Sequence, residues 1–203
     1  MKHLLLLLSL FTLTAFGQRA DVPVPYELPT PAGWGTEKIP FPINFAPSIE
    51  YKGVEEIRFM PDWANKDSAN YWSYVFVWYL DGVLVFEPSM LEEKMKTYYE
   101  GLAAIVKSVP REKLIPVVAK LKYDPLPKGQ DRDFSGTIEM LDYMTASKQV
   151  LNAKIHTRVI ASDNRTLVWF ELSPQPFTHP LWKDLEKIRK EAKNVKCIKE
   201  PKK

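Results

Sequence analysis

With 203 residues, the chain is long enough for one domain with a substantial core, and its formal charge of +3 is too mild for a nucleic-acid binder. A single cysteine rules out an internal disulfide, so stability has to come from the 45% of residues that are hydrophobic, aromatics included. There is no metal-ligand spacing and no cofactor fingerprint, so no cofactor is expected.

Residues 1–17 (MKHLLLLLSLFTLTAFG) read as a secretory signal peptide. Lys2 and His3 give a positive start, a leucine-rich run follows, and Ala15 and Gly17 place small residues before a cut at Gln18. The run is short for a membrane span, and no later segment looks transmembrane. The protein is therefore expected to be exported, periplasmic or secreted, and the lack of disulfides leans towards a bacterial source.

Residues 18–50 form a proline-rich arm. Seven prolines between residues 21 and 47 exclude a helix or a central strand. The part up to Thr30 is expected to be mobile or polyproline-like. The part from Trp34 onwards, with Ile39, Phe41, Ile43 and Phe45, is expected to lie along the domain and pack its rings.

Residues 51–196 read as the folded domain. Strands are expected at 54–60 and 71–80, separated by the polar loop PDWANKDSAN. Ser89-Met90-Leu91-Glu92 has capping-box spacing and predicts a helix start, with Leu91, Met95, Tyr98, Leu102 and Ile105 along one face. Four strands follow at 114–123, 135–145, 149–160 and 166–172, and the short ASK and SDNR links predict antiparallel hairpins. A last helix is expected from His179-Pro180 to about Asn194, with Leu181, Leu185 and Ile188 on one side. Residues 197–203 complete a basic tail that holds Cys197. The order β-β-α-β-β-β-β-α predicts an α+β fold: a single two-layer domain, a mostly antiparallel sheet of about six strands, and two helices on one face.

The run YWSYVFVWYLDG (71–82) is apolar on both alternating faces. An open antiparallel strand is normally apolar on one face only. The run is expected to be a central strand covered on one side by helices and on the other by the arm; a ring platform for a ligand is the alternative.

Strand 149–160 is the most informative for chemistry. Alternation puts Asn152, Lys154, His156 and Arg158 in one row, opposite Leu151, Ala153 and Ile155. If that face is open, Lys154, His156 and Arg158 could hold a carboxylate, a phosphate or an acidic sugar; otherwise they are an ordinary solvated face. His156 could also act as a general base with Glu139 or Glu171. His179 reads as a helix cap, and Ser173 reads as a strand terminator before a proline-stiffened loop. The chain lacks a G-x-S-x-G elbow, and Gly33-Trp34-Gly35 lacks the phosphate-loop lysine. Trp72 or the loop-borne Trp63, together with Trp34, are candidate ring contacts. The resulting expectation is an exported, non-enzymatic binding or interaction domain. Its partner would be a small molecule, with an anion as one option, or another exported protein. A small exported hydrolase built on His156 is the alternative.

Overall fold

The computed structural model describes residues 24–107, 114–124 and 131–193. The signal segment, Cys197 and the basic tail lie outside the described residues. Seven strands form one antiparallel sheet: β1 (Gly35–Pro40), β2 (Gly53–Phe59), β3 (Tyr74–Asp81), β4 (Val118–Tyr123), β5 (Arg132–Asp142), β6 (Ser147–Ile160) and β7 (Arg165–Ser173). Their order across the sheet is β1-β2-β3-β7-β6-β5-β4. Two helices, α1 (Pro88–Lys107) and α2 (Leu181–Lys190), complete the α+β architecture.

The expectation of two helices on one face is corrected: they cover opposite faces. Tyr74, Phe76, Trp78 and Leu80 of β3 pack on the side of Leu91, Met95 and Tyr98 from α1. Their neighbours Val75, Val77 and Tyr79 pack on the other side against Leu181, Leu185 and Ile188 from α2. The domain thus has three layers. The physical reason lies in β3 itself, which offers an apolar row to each side, so each amphipathic helix can take one. Burial of β3 from Tyr74 to Leu80 makes it the central, two-sided strand that the double alternation predicts.

The strand count also changes, because β1 lies inside the segment read as an arm. It pairs with β2 from Gly35↔Phe59 to Pro40↔Val54. Proline is tolerated there because β1 is an edge strand and Pro40 is its last residue. The rest of the arm covers both faces of the sheet. Ile43, Phe45, Ala46 and Ile49 join the α1 side, while Tyr26 and Leu28 join the α2 side. The stretch from Val24 to Thr30 is accordingly packed. Arg58 donates to the backbone carbonyls of Leu28 and Pro29, and Glu27 and Lys193 exchange backbone hydrogen bonds of 3.0 Å.

Element ends shift for local reasons. β3 starts at Tyr74 because Trp72 has a left-handed backbone, φ 51°. α1 starts at Pro88, a favoured first helical residue, and the Glu87 carbonyl accepts the N–H groups of Met90 and Leu91. Glu92, read as a capping-box residue, instead accepts the N–H of Leu121 at 2.7 Å and ties α1 to β4. Ahead of α2, His179 Nδ1 accepts the N–H of Leu181 at 3.2 Å, the terminal donor that the capping reading requires. α2 itself stops at Lys190, short of the expected Asn194.

Candidate functional site

Two places on the molecule gather chemistry, one on each face of the sheet. On the α2 face, β6 carries Lys154, His156 and Arg158 in a row, and β5 sets Asp133 directly opposite His156. His156 Nδ1 lies 2.9 Å from Asp133 Oδ1, and Arg158 Nη1 donates to the same oxygen at 2.8 Å. Arg158 Nε also lies 3.7 Å from Asp131. On its other side, His156 Nε2 is 3.7 Å from the fully buried Glu171, whose Oε1 accepts Arg189 Nε–H at 2.8 Å. Lys154 Nζ sits 5.3 Å from the ring centre of Trp182 and 5.5 Å from that of Phe177. Burial alone would raise the Asp133 carboxyl, but the hydrogen bonds and charges of His156 and Arg158 outweigh it and hold it well below the usual carboxylate range. The row is therefore a brace running from β5 through β6 and β7 to α2. Of the two carboxylates considered for His156, the fold brings Glu171 close, whereas Glu139 pairs with Lys148.

Trp34 packs on this same face but beside β1, four places from β6 in the strand order, and Trp63 packs on the opposite face. The sequence candidates therefore do not converge on one spot.

The second place surrounds Trp63. A cavity of about 170 Å³ opens on the α1 face near the β1 edge. Phe45, Ile57, Trp72, Tyr74 and Tyr98 are its buried floor. Half-buried Ile39, Phe59, Trp63, Leu102 and Tyr143 form its walls, and exposed Glu37 stands at its mouth. Loop 60–73 brings the tryptophans in. It folds back through the N–H of Trp63 to Met60 O and the N–H of Trp72 to Trp63 O. Trp63 then stacks on Phe59 of β2 with ring centres 4.4 Å apart, while Trp72 stands nearly perpendicular to it, 6.0 Å away. The turn between β5 and β6 supplies Tyr143, 5.0 Å from Trp72.

The tyrosine hydroxyls in the floor are already engaged. Tyr74 and Tyr99 share a 2.6 Å hydrogen bond, and Tyr98 donates to Glu55 at 2.8 Å. Glu55 lies behind the floor, fully buried, and also accepts Trp78 Nε1–H at 2.6 Å. Burial drives its carboxyl up against the pull of these two donors, to about 7. Glu37 at the mouth is raised as well, by the loss of water around it. Among the described residues no group of three or more His, Cys, Asp or Glu side chains is placed to hold a metal, and no helix is long and apolar enough to cross a membrane.

No protein-family model matches this chain, and no curated protein or solved structure matches it. Sequence reasoning reached Trp63 through its loop position and named Trp72 beside it, but missed Glu37, Phe59 and Tyr143, which come from separate segments. One signal was present in GVEEIRF of β2, where two adjacent carboxylates sit inside a strand and cannot both face water if the strand is covered on both sides.

Proposed function

We propose that this chain is an exported, non-enzymatic binding module whose ligand seats in the cavity beside Trp63. One observation carries the reading: of the eleven residues that line the cavity, seven are aromatic, and their space remains partly open at Glu37. Ligand sites are commonly concave, ring-rich and set with a few polar groups, and this cavity has that composition. The cationic row on β6 supports an anion site less well, since an anion there would compete with Asp133 for His156 and with Asp133 and Asp131 for Arg158.

Trp63 and Trp72 make occupancy visible by intrinsic fluorescence. A compound screen read by fluorescence and thermal shift should find ligands that raise the melting temperature, as binding to the folded state must. The shift should vanish in Trp63→Ala and persist in the combined Lys154→Ala, His156→Ala and Arg158→Ala variant. The reverse pattern would reject the cavity and move the site to the row.

A hydrolase is the second reading, favoured by the 2.9 Å imidazole–carboxylate contact of His156 and Asp133. Such a pair can act as a general base. Hydrolysis that survives His156→Ala, or a pH–rate profile with no limb in the histidine range, would remove it.

A further inference from the structure

We infer that the cavity beside Trp63 takes an organic cation of trimethylammonium size. The inference rests on the cavity-binding reading and adds the chemical class of the ligand. Its first support is ring surface: Phe59, Trp63, Trp72, Tyr74 and Tyr143 border one small space in differing orientations, with Trp63 turned 83° from Trp72 and Trp72 turned 72° from Tyr143. The face of an aromatic ring carries negative potential, and several rings around one point form the kind of enclosure that favours quaternary ammonium groups.

Charge is the second support. Glu37 is the one acidic or basic side chain among the described lining residues, and it has no ion pair among them. Lys38, its neighbour along β1, turns to the other face and lies 3.7 Å from Glu56. Glu37 thus stands at a mouth that removes water from its carboxyl and supplies no cation in return. An anionic ligand would meet both the carboxylate and the ring faces. A neutral apolar ligand would strip Glu37 further without compensation.

Size is the third. The volume of about 170 Å³ falls well short of drug-sized sites, which begin at roughly 300 Å³. It slightly exceeds the engineered cavity of about 150 Å³ that holds benzene in another protein. A trimethylammonium group fits such a space, with the remainder of a larger molecule outside past Glu37.

The test compares choline with 3,3-dimethyl-1-butanol, in which carbon replaces the charged nitrogen at the same shape. Both are titrated into the purified protein by calorimetry and tryptophan fluorescence. Choline should bind at least about tenfold more tightly than the alcohol. Glu37→Gln should weaken choline severalfold without weakening the alcohol, and because Glu37 is exposed the substitution leaves the fold intact. Trp63→Ala, with its folding checked by circular dichroism, should weaken both. Equal affinity for the two compounds would overturn the inference while the cavity-binding reading stands. If neither compound binds at millimolar concentration, the inference also fails, and the wider screen with Trp63→Ala then decides the cavity reading separately.

Discussion

Glu55 and Glu56 are neighbours on β2, yet the sheet sends them into opposite environments. Glu55 faces α1, where its oxygens meet a tryptophan N–H and a tyrosine O–H, and its carboxyl rises to about 7. Glu56 faces the arm and receives Arg58 at 2.6 Å, with Lys38 3.7 Å away. The pattern extends across the sheet. On the α2 side Glu171 has Arg189, and Asp133 has both His156 and Arg158. A buried carboxylate can be met by a guanidinium or by neutral donors, and Glu56 and Glu55, one residue apart, show the two arrangements. For Glu171 and Glu55 the covering helix makes the difference. α2 carries Arg189 on its sheet side, whereas the part of α1 over Glu55 presents Tyr98.

Removing the countercharge on the α2 face should produce the largest effect. Arg189→Ala leaves Glu171 buried without its partner and should cost about 3–5 kcal/mol in urea unfolding at neutral pH. Adding Glu171→Gln should restore much of that loss; a double variant as unstable as the single one would mean that Arg189 acts through packing alone.

The α1 face should respond to pH. The unfolded chain releases the Glu55 proton near 4.5, and the folded chain keeps it to about 7. A raised folded value means that stability is greatest below 4.5, declines as pH rises to 7, and is level above, a change of about 3 kcal/mol. Glu55→Gln should flatten that slope, and thermal melts between pH 4.5 and 8 would reveal it. A slope that persists in the variant would assign the titration to another group.

The smallest effect should come from Lys154, whose ammonium lies over exposed Phe177 and buried Trp182. Lys154→Ala should lose about 1 kcal/mol or less. A loss comparable to that of Arg189→Ala would show that the brace extends to Lys154.

Much of this contrast was legible in part. The row Lys154, His156, Arg158 follows from alternation along a single strand, and the two apolar rows of β3 follow from YVFVWYL. Their partners do not, because Asp133 meets His156 only through the register of β5 on β6, and Arg189 meets Glu171 only through the docking of α2. Leu91, Met95 and Tyr98 mark α1 as amphipathic, as Leu181, Leu185 and Ile188 mark α2, but periodicity says that a helix has a buried face without saying which face of the sheet receives it. β1 was hidden by the prolines of the segment around it, because a rule that holds for central strands is relaxed at an edge. The cavity was the least visible feature. Its wall joins β1, β2, loop 60–73, α1 and the β5–β6 turn, and of its rings the sequence singled out Trp63, Trp72 and the 71–82 run but not Phe59 or Tyr143.

The strand order also sets a timetable. β3 is buried at every residue but its last, and one of its two partners, β7, is the last strand along the chain. During synthesis β3 therefore waits, with aromatic rings on both sides, until residues 165–173 have been made. A pairing between such distant segments is slow to close, and the waiting strand is a hazard for association between unfinished chains.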